Sequence, residues 1–341
     1  MQYPPTDRLS DQREESRREA LDAEDGALDA NNWLRWTSRS PGTKVLRARC
    51  SCWDSLPLAQ TDGWADSFIN SNVAVGANVR PREFVTTITE VEPVMGDAAI
   101  ITLTAPSGFV DAVRAGQFVD VLCRAGGSFD PLLRRPYSLA RVDRRDDTYS
   151  ILVRPYGRGS EWLVQQPVGT EIDVLGPLGN RFDVPGKATN LLMVAGGVGA
   201  APLMMLTDDA LAHGQAVTYL MGGMTEEALL SASVLPGEVE YVVATDDGSR
   251  GHHGYVTDLV LDYLTWADEI YACGPEPMFH SLRRVILANR MGKRPRVQVS
   301  VERTMACGLG ACLGCVVETR SGMQASCVEG PVYDMDEVVW S

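Results

Sequence analysis

Histidine is scarce in this chain: four occur among 341 residues, and two of them, His252 and His253, sit side by side in a glycine-flanked run that reads as solvated rather than ligating. Basic charge is also short, with 31 Lys and Arg against 45 Asp and Glu and a formal charge of -14. That balance argues against a nucleic-acid or anionic-membrane surface. No apolar run is long enough to span a bilayer. Residues 1–29 are charged and lack the apolar core of a signal peptide. A cytoplasmic, reducing setting is expected, in which cysteines serve as ligands or buried thiols rather than disulfides.

Cysteine is what the chain does have, and its placement is uneven. Cys307, Cys312 and Cys315 are spaced C-x4-C-x2-C, and Cys327 follows a short loop later. This is the plant-type spacing for a [2Fe–2S] cluster. The thiolates must converge on two irons, so the loop has to wrap tightly. Gly308, Gly310 and Gly314 allow that and let amide N–H groups reach the sulfurs. A structural zinc site is the alternative for four thiolates, but zinc sites usually pair C-x2-C knuckles. Among the other cysteines, Cys50 and Cys52 read as free thiols and Cys123 as a core residue of an alternating run.

The length predicts about two to three domains. Residues 1–79 stand apart, with a possible helix over 11–25 and four tryptophans (Trp33, Trp36, Trp53, Trp64) but no chemistry-bearing motif. Short strand patterns at 84–89, 98–104, 117–122, 149–154 and 171–175 predict a small antiparallel barrel over 80–185. From Asn190 short apolar runs alternate with helix-like stretches, which predicts a parallel α/β domain over 186–293. The cluster domain occupies 294–341. The fold class is therefore multidomain, β plus α/β.

Three stretches outside the cysteines suit bound dinucleotides. Arg135-Pro136-Tyr137-Ser138 offers a guanidinium for phosphate, a ring to lie on a flavin and a hydroxyl for a ring nitrogen. Gly157-Arg158-Gly159-Ser160 follows a strand and opens a helix, a placement that suits phosphate. Gly196-Gly197-Val198-Gly199 follows a buried strand, although Pro202 replaces the last glycine of G-x-G-x-x-G. Cys273-Gly274-Pro275 ends another strand, and its thiol could touch a nicotinamide. The turn Gly222–Glu227 carries acids and no arginine, which favours NAD over NADP.

On these residues, together with Leu175-Gly-Pro-Leu-Gly-Asn180 and Thr245-Asp-Asp-Gly-Ser, the chain resembles the ferredoxin-reductase-like flavoproteins from about Arg82 onward. It is most similar to the electron-transfer subunits of NAD-dependent, class 1B dihydroorotate dehydrogenase. The resemblance implies that Arg135, Pro136, Tyr137, Ser138, Leu152, Val153, Arg154, Gly159 and Ser160 hold FAD. It implies cluster ligation by Cys307, Cys312, Cys315 and Cys327. NAD falls to Gly196, Gly197, Gly199, Gly274 and Pro275. It further implies an FMN-containing catalytic partner, two plus two subunits, and a place in pyrimidine biosynthesis. Ferredoxin:NADP oxidoreductase and sulfhydrogenase subunits share the domain order. The first of these groups often has aspartate as first cluster ligand, where this chain has Cys307. A zinc-binding module on a reductase scaffold is the rival from outside enzymology.

Overall fold

A computed structural model of the chain describes residues 80–289 and 294–340. The helix expected over 11–25, the four tryptophans, Cys50 and Cys52 lie outside the described residues.

The expected barrel is present and closed. Its strands are β1 (Arg82–Met95), β2 (Ala98–Thr104), β3 (Phe118–Val121), β4 (Arg135–Asp143), β5 (Thr148–Val153) and β6 (Glu171–Leu178). They run in the order β1-β2-β5-β4-β3-β6, antiparallel throughout. Alternation supplies the filling: Ile88, Ile101, Leu103, Val119, Val121, Ile151 and Val174 point inward and are buried. β1 is longer than the alternation suggested. Its register shifts between Ile88 and Glu90 and again between Pro93 and Met95, which lets one strand curve from β6 to β2. Phe109, on the single-turn helix α1 (Phe109–Ala112), plugs one end of the barrel with its ring 5.0 Å from that of buried Tyr149. β4 escaped the sequence pattern because Pro136 sits in it, tolerated at the strand's second position.

The second domain is a seven-stranded sheet in the order β10-β9-β8-β7-β11-β12-β15. Its first five strands are β7 (Asn190–Gly196), β8 (Ala216–Gly223), β9 (Glu240–Thr245), β10 (His252–His253) and β11 (Glu269–Cys273). β12 (Arg296–Ser300) extends the parallel set, and β15 (Val332–Asp334) closes it antiparallel. These last two strands come from the segment that follows residue 294, so the sheet continues into the cysteine-bearing region. Between them lies the hairpin of β13 (Val316–Thr319) and β14 (Gly322–Ala325).

Four more α-helices follow α1 in the described chain. α2 (Arg158–Val164) follows β5, and α3 (Ala200–Ala212) follows β7. α3 is apolar nearly all round because it is packed between sheet and barrel. Arg141 of β4 fixes it there, with Nε 2.8 Å from Asp208 Oδ2. α4 (Val260–Tyr263) is one turn. α5 (Glu276–Ala288) is amphipathic and buries Met278, Phe279, Leu282 and Ile286. A separate small core joins barrel to cysteine loop: Phe118, Leu175 and Leu178 pack with Met305, Ala325, Cys315 and Cys327.

Candidate functional site

The four cysteines meet in one loop cluster at that small core. Cys315 and Cys327 are buried, Cys307 is half-buried and Cys312 is exposed. Each sulfur accepts at least one backbone N–H: Leu309 N to Cys307 Sγ at 3.5 Å, Gly314 N to Cys312 Sγ at 3.4 Å, Cys327 N to Cys315 Sγ at 3.4 Å and Gly310 N to Cys327 Sγ at 3.1 Å. The loop thus brings amide donors to sulfur as its glycines led one to expect. Gly308 is required on two counts. Its φ is 67°, and a Cβ there would lie 2.3 Å from Asp120 Oδ2.

The thiols feel one another: Cys307 interacts with Cys312, and Cys327 with both Cys315 and Cys307. Burial raises the Cys307 thiol, but N–H donation from Leu309 and Cys312 and the Cys312 side chain outweigh it and bring the group down to about 7. Cys327 is pushed up to about 12, first by burial and then by its hydrogen bond with Cys315. Among the described residues no three His, Cys, Asp or Glu side chains surround one ion position. Four thiols with this spacing suit a binuclear cluster, which takes two per iron.

The flavin-motif residues come together at one rim of the barrel. Arg135, half-buried at the start of β4, has its Cγ and Nε 3.4 Å from where a Cβ on Gly159 would stand. Cys123 Cβ is 3.2 Å from the same point, so a side chain at Gly159 would be crowded from both sides. Ser160 Oγ accepts N–H bonds from Tyr156 at 2.9 Å and Gly157 at 3.2 Å, capping α2. Tyr137 turns its hydroxyl to within 3.8 Å of Cys123 Sγ. Burial holds both groups protonated, pushing the Cys123 thiol up to about 11 and the tyrosine further above its ordinary value. Antiparallel pairing of β4 with β5 from Leu139↔Ile151 sets Pro136–Ser138 beside the end of β5. Leu152 and Val153 are buried there, and Arg154 is exposed and paired with Asp97 at 3.2 Å. A guanidinium, a helix start and a tyrosine brought together at this rim fit a flavin dinucleotide.

The two glycine turns of the α/β domain face each other at the carboxyl ends of adjacent strands β7 and β11. A Cβ on Gly199 would lie 2.3 Å from the Cys273 carbonyl oxygen, and one on Gly196 would lie 2.9 Å from both Met278 Sδ and Pro275 Cδ. Gly197 has φ 54° with open space beside it, which leaves its backbone free to meet a pyrophosphate. A cavity of about 160 Å³ opens next to Gly274 and Pro275, bounded by Phe279, Arg303 and Trp340. Cys273 itself is 1% exposed. Burial, then the nearby Glu302, drives its thiol well above the ordinary value against a hydrogen bond with Ser300.

Sequence reading missed two groups. Asp120 is buried directly under the cysteine loop, where strand alternation alone gave no hint of a ligand-bearing neighbour. The acidic turn after β8 also has an arginine, brought from the turn after β9: Arg250 Nη1 lies 3.2 Å from Glu226 Oε1.

Residues 302–339 match the iron-sulfur cluster binding domain of dihydroorotate dehydrogenase B, and residues 193–284 match the oxidoreductase NAD-binding domain. The dihydroorotate dehydrogenase B (NAD(+)) electron transfer subunit of Bacillus caldolyticus is 38% identical over 243 residues, 70% of this chain and 91% of that one. The chain belongs to this family of electron transfer subunits. The same subunit of Desulforamulus reducens is 38% identical over 233 residues, covering 66% of this chain and 86% of its own length. Among solved structures, that of an NADH-dependent reduced ferredoxin-NADP oxidoreductase superposes with TM-score 0.64 and 28% identity, covering 75% of this chain and 90% of the other. The ferredoxin reductase in carbazole 1,9a-dioxygenase shares the fold at TM-score 0.54 and 22% identity, over 64% of this chain and 68% of that one. As an electron transfer subunit, the chain is part of an NAD-linked oxidoreductase whose cofactors are FAD and a [2Fe–2S] cluster. Among the described residues no helix is long and apolar enough to cross a membrane.

Proposed function

We propose that this chain accepts the electrons of dihydroorotate oxidation from an FMN-bearing catalytic subunit and delivers them to NAD⁺ during pyrimidine synthesis. The observation that carries this reading is the shared core of Phe118, Leu175 and Leu178 with Cys315 and Cys327, which seats the cysteine loop on the flavin barrel. When bound, the cluster exchanges single electrons and the flavin couples two of them to hydride exchange with nicotinamide.

The chain's own residues supply placement. Cys307, Cys312, Cys315 and Cys327 hold the irons, and the amides of Leu309, Gly310, Gly314 and Cys327 donate to their sulfurs, which raises the potential. Arg135 and the start of α2 at Gly159 and Ser160 hold the FAD phosphates, with Pro136, Tyr137, Ser138, Leu152, Val153 and Arg154 along the ring. Gly196, Gly197, Gly199, Gly274 and Pro275 would let NAD approach the backbone, and Cys273, at the end of β11, would be the nicotinamide contact. The assembly is two plus two subunits in the cytoplasm.

The test is anaerobic, dihydroorotate-dependent NAD⁺ reduction with and without the FMN-type dehydrogenase of the same genome. NADH formed only by the pair supports the proposal. The likeness to the ferredoxin-NADP oxidoreductase structure favours a second reading, with ferredoxin as partner. No NADH from the pair, alongside NADH oxidation with ferredoxin, would move the assignment there.

A further inference from the structure

Asp120 has no evident work to do where it stands. It lies in the middle of β3, 2% exposed, opposite Pro136 of the flavin-motif strand and Leu175 of β6. Its neighbours Val119 and Val121 point into the barrel, so Asp120 shares the outer face with Phe118. That face packs on the cysteine loop, and on it Asp120 is the charged residue among apolar ones. Its Oδ2 lies against Gly308, close enough that a Cβ there would come within 2.3 Å. Gly308 directly follows Cys307.

A structural carboxylate would be hydrogen-bonded. Asp120 Oδ1 is buried and has no hydrogen-bond partner. Arg134 is near enough to favour its charge, yet the arginine gives its hydrogen bonds elsewhere, to Asp173 O at 3.0 Å, Asp173 Oδ1 at 2.9 Å and Glu83 Oε1 at 2.9 Å. Burial, only partly opposed by Arg134, pushes the carboxyl up to about 6, so at pH 8 a desolvated negative charge remains. A charge in such a low-dielectric position is felt far more strongly than one in water.

We propose that Asp120 is a positioning residue that lowers the reduction potential of the cluster, holding a buried carboxylate between the flavin-motif strand and the Cys307–Leu309 turn. An electron added to the cluster meets that charge, so the reduced state is disfavoured and onward delivery of the electron to the flavin side is favoured. The four amide N–H donors to sulfur act in the opposite sense, and Asp120 offsets them from the barrel side. The inference rests on the cluster being held by the four cysteines.

The experiment compares the wild-type holoprotein with Asp120→Asn at pH 8. Iron content and the EPR spectrum of the dithionite-reduced protein are read first, then the midpoint potential by EPR-monitored titration. Expected are two irons per chain, the same g-values, and a midpoint shifted to more positive potential in the variant. Asp120→Ser, which removes the charge with a smaller side chain, should shift it the same way. An intact cluster with unchanged potential in either variant overturns the proposal. Loss of the cluster from both would assign Asp120 to holding the loop, and overturns it equally. A wild-type protein without iron would instead sink the cluster reading itself, so the two failures are distinguishable.

Discussion

Asn180 grips the backbone of Val332 with both ends of its amide: Oδ1 accepts the Val332 N–H at 2.9 Å, and Nδ2 donates to the Val332 carbonyl at 2.8 Å. Nδ2 also reaches the Glu329 carbonyl at 2.8 Å, and the Asn180 N–H donates to Gly330 O at 2.6 Å. One side chain after β6 thereby ties the flavin barrel to the segment that carries Cys327.

Asn180→Ala removes three of these bonds, leaving the N–H and C=O of buried Val332 unpaired while the exposed Glu329 carbonyl turns to water. A loss of about 2–4 kcal/mol follows from such unmet groups. Thermal unfolding should shift downward, and iron content should fall while FAD is retained. Unchanged iron and melting would contradict the clamp.

Glu226 and Arg250 set up a second prediction. The arginine that could receive a 2′-phosphate is held by an acid, with both side chains half-exposed. Glu226→Gln frees it and removes a repelling charge. The ratio of kcat/KM for NADP⁺ over NAD⁺ should rise several-fold, with little effect on stability, because exposed pairs contribute about 0–1 kcal/mol. A ratio that does not move would dissociate this turn from coenzyme choice.

Gly199 has no room for a side chain, because the Cys273 carbonyl and the Gly274 nitrogen stand 2.3 Å and 2.7 Å from a Cβ there. These are backbone atoms that cannot rotate away. Gly199→Ala should therefore cost toward the upper end of the roughly 1–3 kcal/mol of overpacking, and open the two-turn crevice. NADH-dependent reduction of an artificial acceptor should be lost, while visible spectra still report bound flavin and cluster.

Asp120 also carries a pH signature in stability. Its folded pKa, about 6, lies above its ordinary 3.8, so the fold favours the protonated form. The stabilisation is full below about pH 4 and lost as pH rises through about 6. Asp120→Asn should therefore gain on the wild type across that window, by an amount on the order of 2–3 kcal/mol at neutral pH. Melting curves of both proteins at pH 5 and pH 7.5 check this, and a difference that narrows with rising pH would refute it.

Much of this architecture could be read from the chain. The barrel strands alternate cleanly, the α/β runs are short and apolar, and the cysteine spacing is local chemistry. What could not be read is nonlocal. β4 hides behind Pro136 and its polar neighbours, and only its pairing with β3 and β5 shows it to be a strand. Arg250 reaches Glu226 across two strand ends, 24 residues away in sequence. Asp120 reads as an ordinary polar position in an alternating run, since nothing in the pattern says that its outer face is covered by the Gly308 turn. Cys273 reads as a thiol at a strand end, while its burial depends on Ser300 of the neighbouring strand.

β15 gives the last strand of the nicotinamide-domain sheet to a segment beyond the cysteines. Its pairing with β12 covers an edge that would otherwise present unpaired N–H and C=O groups. A ribosome that has delivered β12 has therefore not delivered the means to seal it. The nascent sheet must wait, one side open, until the cysteine-bearing stretch has emerged. The last cysteine, Cys327, and the strand that closes the coenzyme domain thus emerge together, and a chain truncated after Cys315 would expose a sticky strand as well as lack a ligand.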